Sequence, residues 1–205
     1  MYFRTAKETR KIAWEQLRGS YWNVFVNIFI MTLIVNGITG VTLGFALLIV
    51  MGPVSIGMII TSLNVIRGKN YNDIGLIFEG FQNNLSRNIL LGLFQLFKVF
   101  LWSLLFVIPG IIKSYAYSQA FYIAIDYPEL TADEVLKKSE EMMKGHKWRL
   151  FCLHFSFIGW ILLSLFTFGV GMVFLTPYQI QANAVFYEEL KENQTPEILS
   201  YEVFE

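Results

Sequence analysis

The sequence of 205 residues is poor in the residues that build covalent and metal scaffolds. It has one cysteine, Cys152, so no disulfide can form within the chain. That cysteine and two histidines, His146 and His154, are too few for the ligand set of a structural zinc site. A surplus of positive charge is also lacking, because sixteen Lys and Arg residues balance sixteen Asp and Glu residues, which argues against nucleic-acid binding. We therefore expect no metal, no cofactor and no nucleic-acid partner.

Apolar residues, in contrast, are abundant. They make up 55% of the chain, charged residues make up only 16%, and the mean hydropathy is +0.48. Because backbone polar groups in lipid must be satisfied within the spanning segment, long apolar runs predict membrane helices. We predict an all-α membrane protein with about six transmembrane helices, at residues 22–38, 43–66, 89–108, 110–125, 150–167 and 170–187. The fourth and sixth are short enough to leave open whether they fully span.

The distribution of Lys and Arg predicts how these helices are oriented, because basic residues are retained on the cytoplasmic side. Fourteen of the sixteen lie in the N-terminal segment, in the second and fourth connections, or after the last span. The other connections, residues 36–42, 109–110 and 168–171, carry no charge. The N-terminal segment also lacks the compact apolar region of a removable signal peptide. We expect a multi-pass protein of the cell (plasma) membrane, built from three hairpins, with both termini in the cytoplasm.

The chain also contains an internal repeat. Shifting the sequence by 126 residues aligns nine identical residues within 25 positions, beginning with Thr5 on Thr131 and ending with Phe29 on Phe155. A weaker middle copy begins near residue 70. We expect a single integral membrane domain over residues 1–205, with repeat units at about 4–66, 70–125 and 131–190 and a cytoplasmic tail at 191–205. Each unit would be a cytoplasmic amphipathic helix followed by a hairpin, and three such units predict pseudo-threefold packing.

Both strong copies open with Thr-x-x-Glu, the spacing of a capping box, in which the two side chains satisfy each other's free backbone donors. This predicts that helices begin after Thr5 and after Thr131. In the third unit, apolar and charged residues alternate at helical spacing, which suits a helix at the headgroup level or against neighbouring helices. Such helices would either brace the bundle or dock a partner or sense lipid.

Several short motifs resemble a known family. They are Ile-Pro-Gly-Ile at 108–111, Asp126-x-Pro-Glu-Leu, Met-Met-Lys-Gly-His-Lys at 142–147, Ser-Phe-Ile-Gly-Trp at 156–160, and Pro177-Tyr178 through Phe186-Tyr187. Gly52-Pro53, Gly57 and Arg67-Gly68 fit the first half less specifically. The chain resembles domain-of-unknown-function family 975 over nearly its whole length. The resemblance implies an uncharacterised multi-pass membrane protein, largely of Gram-positive bacteria, with a distant likeness to the membrane domain attached to some glycerophosphodiester phosphodiesterases. It implies no reaction.

Two lysines, Lys98 and Lys113, fall inside predicted spans, where charges are costly enough to mark functional candidates. All sixteen acidic residues map to cytoplasmic segments, so we expect neither lysine to have an acidic partner. Helical spacing places Gln95 near Lys98 and Tyr117 near Lys113. These four residues are the predicted site for an anion or a lipid headgroup. Alternatively, Lys113 snorkels to the headgroups, and Lys98 is neutral through a lowered pKa or solvated in a water-filled cavity.

Nothing in the sequence predicts catalysis. Cys152 and His154 are two residues apart and point to different faces of a helix, so they do not form a nucleophile–base pair. We expect a non-enzymatic protein that binds membrane lipid or another amphiphile, or that scaffolds a protein partner at its cytoplasmic helices, with oligomers possible. The alternative is a small transporter, or a transporter's accessory subunit, for an anionic or amphiphilic solute.

Overall fold

A computed structural model describes residues 3–41, 45–70, 73–167 and 170–202. Over these residues the chain forms eleven α-helices, one short 3-10 helix (Ile74–Phe78, before α4) and no strand, which confirms the all-helical class. The helices are α1 (Ala6–Arg18), α2 (Tyr21–Val41), α3 (Phe45–Ile66), α4 (Glu79–Gln82), α5 (Leu85–Leu105), α6 (Val107–Ala116), α7 (Ala120–Asp126), α8 (Ala132–Met142), α9 (Lys147–Phe155), α10 (Ile158–Leu165) and α11 (Val170–Glu202).

Both predicted capping boxes are present. At the start of α1, the Thr5 hydroxyl accepts the Glu8 N–H, and the Glu8 carboxylate accepts the Thr5 N–H at 2.7 Å. At the start of α8, Thr131 and Glu134 make the same pair of bonds, with the Thr131 N–H donating at 2.8 Å. Since each box satisfies donors that a helix start leaves free, both helices begin where the sequence predicts.

The segment predicted as the middle copy of the repeat has a different local structure from the segments at α1 and α8. Instead of one amphipathic helix, the 3-10 helix and the four-residue α4 precede α5. Asp73 caps the 3-10 helix by accepting the Gly75 N–H at 2.7 Å. Asn84 then has a φ of 51°, a left-handed conformation that asparagine tolerates, and this turns the chain into α5. The weak sequence match of this copy thus coincides with a shorter helical segment.

The structure supports a membrane protein but does not confirm six spans. Among the described residues, two helices are long and apolar enough to cross a membrane, at Leu48–Ile66 and Leu85–Leu104. A third span is present if α1 and Tyr21–Gly37 count as one segment, although they are bent by 93°. Of the predicted outer turns, 36–42 is helical through Val41, and 109–110 lies inside α6. Residue 42 and residues 168–169 of the turn at 168–171 lie outside the described residues. α11 continues to Glu202, through most of the expected tail.

The fourth and fifth predicted spans are interrupted, in contrast to the continuous helices that the apolar runs indicate. The fourth breaks between α6 and α7, and the fifth breaks between α9 and α10. At each break a serine hydroxyl donates to the carbonyl three residues earlier: Ser118 to Tyr115 at 2.8 Å, and Ser156 to Leu153 at 2.6 Å. A serine that bonds its own backbone in this way competes with the helical hydrogen bonds, and tight three-residue turns replace them.

Helix α3 lies unusually close to its neighbours. A Cβ added at Gly52 would lie 2.0 Å from the carbonyl oxygen of Asn88 in α5, and one added at Gly57 would lie 2.2 Å from that of Ile77 in the 3-10 helix. Only glycine permits such backbone approaches. The main core lies beside this contact and is built from α1, α3 and α5–α11, with Ile123, Leu136 and Tyr187 among its fully buried side chains.

Candidate functional site

Three of the four predicted site residues come together where α5 and α6 pack on each other. Tyr117 directly follows α6 and is 4% exposed. The Lys98 Nζ lies 6.0 Å from the centroid of its ring, and the Lys113 Nζ lies 5.7 Å from it. Lys113 is also 5.1 Å from the Trp102 ring. Since these distances allow cation–π attraction, the aromatic rings stabilise both ammonium groups.

The expectation that these lysines have no acidic partner is wrong. Lys98 Nζ donates to Asp133 Oδ1 at 2.6 Å, and Lys113 Nζ donates to Glu140 Oε1 at 2.5 Å. Both carboxylates belong to α8, the helix that the sequence assigns to the cytoplasmic surface. α8 packs against α5 and α7 with its apolar face in the core, and this contact brings its acidic residues to the lysines.

The two carboxylates are held in their charged form. Hydrogen bonds, first from Lys98 and then from Lys137, lower the pKa of Asp133 to about 2. The hydrogen bond from Lys113 lowers the pKa of Glu140. An anion at either lysine would meet an ammonium group whose charge a carboxylate already compensates. Anion binding at these lysines therefore stays a prediction, and their ion pairs count against it.

Gln95, the fourth predicted residue, lies one turn before Lys98 in α5. Its Oε1 is buried and accepts no hydrogen bond within the described part of the chain. No contact joins its side chain to either lysine among the described interactions. Helical spacing therefore places it beside the cluster, as predicted, but the structure gives it no binding role.

A second charged cluster joins the ends of α3 and α7 to the middle of α11, and sequence reasoning did not pair its members. Arg67, just after α3, donates to both carboxylate oxygens of Asp126 at the end of α7, at 2.7 and 2.8 Å, and to Glu188 of α11 at 2.7 Å. Tyr187 and Lys191 also donate to Asp126, at 2.8 and 2.6 Å. Burial opposes ionisation of Asp126, but these donors outweigh it and lower the pKa of the carboxyl. This cluster ties the chain together and leaves no free charge for a ligand.

A related contact anchors the N-terminal segment. The Glu189 side chain is 3% exposed and accepts from Arg149 at 2.7 Å and from the Arg4 backbone N–H at 2.6 Å. The Arg149 guanidinium also lies 4.5 Å from the Phe3 ring. These bonds join the segment before α1 to α9 and α11.

A cavity lies elsewhere, between α1, the start of α2, α10 and α11. Its volume is about 640 Å³, within the usual range of small-molecule sites. The residues around it are mostly aromatic and aliphatic; they are Arg10, Trp14, Tyr21, Trp160, Leu163, Ser164, Thr167, Gly171, Phe174, Leu175 and Tyr178. Arg10 is the one charged residue among them.

The polar groups of this cavity wall are largely engaged. Tyr21 donates to the Phe174 carbonyl at 2.8 Å, and Tyr178 donates to the Arg10 carbonyl at 3.0 Å. The hydroxyls of Ser164 and Thr167 donate to carbonyls three residues earlier, at 2.6 and 2.8 Å. The walls therefore present apolar side chains over most of their area, which suits an aliphatic chain.

Sequence reasoning missed this cavity, although two of its residues stand in motifs that carry the family resemblance. Trp160 ends the Ser-Phe-Ile-Gly-Trp motif, and Tyr178 follows Pro177. In the sequence, Arg10 is only one of the basic residues that predict how the helices are oriented in the membrane. Within the described residues, no group of three His, Cys, Asp or Glu side chains is placed to hold a metal ion.

The comparison with known proteins agrees with the motifs. No curated protein and no solved structure matches the chain. A family model described as "Protein of unknown function (DUF975)" matches residues 16–194, which covers most of the sequence. Of the helices around the cavity, most of α1, with Arg10 and Trp14, and the last residues of α11 lie outside the match. The chain therefore belongs to the DUF975 family of proteins of unknown function.

Proposed function

We propose that this protein is a non-enzymatic, multi-pass membrane protein that binds a lipid or another amphiphile in the cavity between α1, α2, α10 and α11. The observation that carries the proposal is the cavity itself: about 640 Å³, walled mainly by aromatic and aliphatic side chains. The apolar side chains offer van der Waals contacts along the cavity, which suit an aliphatic occupant.

The proposed topology has both termini in the cytoplasm and three hairpins related by a pseudo-threefold axis. The two matched capping boxes and the one-sided distribution of basic residues support it. The plasma membrane of a Gram-positive bacterium is the proposed location. Exposed apolar side chains support insertion: Phe97, Phe100 and Leu104 of α5 are 58–75% exposed, as expected for a surface in contact with lipid.

The cavity chemistry supports binding without catalysis. General acid–base catalysis needs a carboxylate or histidine, and covalent catalysis needs an activated nucleophile. The described lining residues include no Asp, Glu, His or Cys. Their serine and threonine hydroxyls bond to backbone carbonyls of their own helices, so no base activates them.

The experiment compares two leucines of α10. Leu163 lines the cavity and Leu162 does not, and the two are similarly exposed, at 57% and 54%. Leu163→Trp should narrow the cavity and hinder an acyl chain with little effect on packing, and Leu162→Trp is its matched control. Native mass spectrometry from a mild detergent should show retained lipid in the wild type and in Leu162→Trp, and loss of that lipid in Leu163→Trp. Equal retention in all three proteins would contradict the proposal.

The same preparations test the alternatives. A transporter for an anionic or amphiphilic solute should move it across the bilayer of proteoliposomes, whereas a binding protein should only retain it. A scaffold should instead capture a protein partner through its cytoplasmic helices, and its function should survive Leu163→Trp. Native mass spectrometry also reports the oligomeric state.

A further inference from the structure

We propose that the cavity is specific for an anionic phospholipid, with Arg10 binding the phosphate and the acyl chain lying along α10 and α11. This inference rests on the proposed function and adds the class of ligand. It starts from the position of Arg10, the single charged residue in the apolar wall.

Arg10 differs from Arg67 and Arg149 in its partners. Arg67 and Arg149 each contact a carboxylate at 2.7 Å. Arg10 makes no ion pair with any described residue, and its guanidinium donates to a neutral group, the Ser156 carbonyl, at 2.8 Å. Its Nε is buried and has no hydrogen-bond acceptor among the described residues. Arg87 resembles Arg10, because it also donates only to neutral groups among the described residues and has a buried Nε without an acceptor there, but it lines a smaller pocket that also contains Glu79. Because a half-buried cation without an ion pair among the described residues gains from a nearby negative charge, Arg10 favours an anionic ligand in this cavity.

The geometry around Arg10 favours a headgroup at this end of the cavity. Arg10 and Trp14 lie in α1, the helix with the charged surface, and tryptophan is enriched at the level of the headgroups. From there the walls continue along α10 and α11 to Thr167 and Gly171. An amphiphile therefore fits with its charge at Arg10 and its chain among the aliphatic and aromatic side chains.

Arginine chemistry selects the headgroup. A guanidinium offers donors in a fork that matches the oxygens of phosphate, and such charge-assisted bonds are about twice as strong as neutral ones. The Ser156 carbonyl holds one nitrogen of the fork and orients the group, and the Phe157 ring, 5.7 Å from the guanidinium carbon, supports it from one face. A phosphodiester without a balancing positive charge satisfies this site best.

The test titrates purified protein in a neutral detergent with phosphatidylglycerol or phosphatidylcholine and counts bound lipid by native mass spectrometry. Wild-type protein should prefer phosphatidylglycerol, and Arg10→Gln should lower that preference roughly tenfold, the value of one charge-assisted bond. Binding of phosphatidylcholine, whose phosphate is already balanced by its own choline charge, should fall less than binding of phosphatidylglycerol. Arg10→Lys, which keeps the charge, should retain part of the preference. Arg18→Gln, in an exposed position of the same helix, is the matched control and should behave as wild type.

Each other outcome is decisive. If Arg10→Gln keeps the wild-type preference while Leu163→Trp abolishes binding of both lipids, the cavity binds amphiphiles but Arg10 does not select the headgroup. If Leu163→Trp changes nothing, the proposed function itself fails. If oleate shows the dependence on Arg10 and phosphatidylglycerol does not, the ligand is a fatty acid and the phospholipid assignment is overturned. If inorganic phosphate alone displaces bound phosphatidylglycerol, the acyl chain does not contribute to binding and its proposed role is overturned.

Discussion

Replacement of Asp126 by asparagine is the sharpest test of the packing. Its side chain is 7% exposed and accepts hydrogen bonds from Arg67, Tyr187 and Lys191. Asparagine keeps the shape but removes the negative charge that these donors surround. Breaking a buried ion pair by removing one partner costs about 3–5 kcal/mol, and the lower end applies because Arg67 retains its bond to Glu188.

A loss of about 3 kcal/mol should lower the midpoint of thermal unfolding by about 6–12 °C, since a chain of this length shifts by about 2–4 °C per kcal/mol. Circular dichroism of the protein in a mild detergent measures this midpoint. Asp133→Asn is the control, because its side chain is 43% exposed and such ion pairs contribute about 0–1 kcal/mol. If Asp126→Asn lowers the midpoint no more than this control does, the cluster does not hold α3, α7 and α11 together.

Four further predictions follow from individual contacts. The pKa of Asp126 is lowered in the folded protein. Its ionised form therefore contributes fully to the free energy of unfolding above the unfolded pKa of about 3.9, and this contribution is lost as pH falls through the lower folded pKa. Acid should lower the thermal midpoint of the wild type more than that of Asp126→Asn. Thr131→Ala should cost about 0.5–2 kcal/mol, seen as faster amide exchange at the start of α8. Gly52→Ala should cost about 1–3 kcal/mol or more because the backbone must move, whereas Gly19→Ala, with open space around it, should melt near the wild type. Lys98→Met should leave the amount of bound anionic lipid unchanged in native mass spectrometry, since Asp133 already compensates the charge of Lys98. Loss of that lipid would instead support the predicted anion site at Lys98.

The sequence predicts structure most accurately where the stabilising interactions join residues that are close in the chain. The Thr-x-x-Glu boxes act over three residues, so Thr5 and Thr131 predict their helix starts correctly. Apolar runs predict helices correctly, but they do not report where a helix breaks. At Ser118 and Ser156 the choice between a helical and a local serine hydrogen bond depends on what surrounds the turn. Periodicity alone therefore predicted two continuous spans that the structure divides.

The candidate site depended on contacts across long stretches of chain. Lys98 and Asp133 are 35 residues apart, and Arg10 and the Ser156 carbonyl are 146 apart. The sequence indicated the lysines correctly as unusual charges in apolar segments. It could not pair them, because a side chain's partners are set by the helices that pack beside it. For the same reason, the cavity beside Arg10 has no signature in any single segment.

The sequence by itself determined the helical class, two helix starts, the membrane character and the family, since composition, short-range hydrogen bonding and motif spacing are properties of neighbouring residues. Only the tertiary structure decided which charges are compensated. The packing of α8 on α5 and α7 gives Lys98 and Lys113 their carboxylates, and the meeting of α1, α10 and α11 leaves Arg10 without one beside an apolar cavity. Electrostatic compensation depends on distances of a few ångströms, and those distances exist only once the helices have packed.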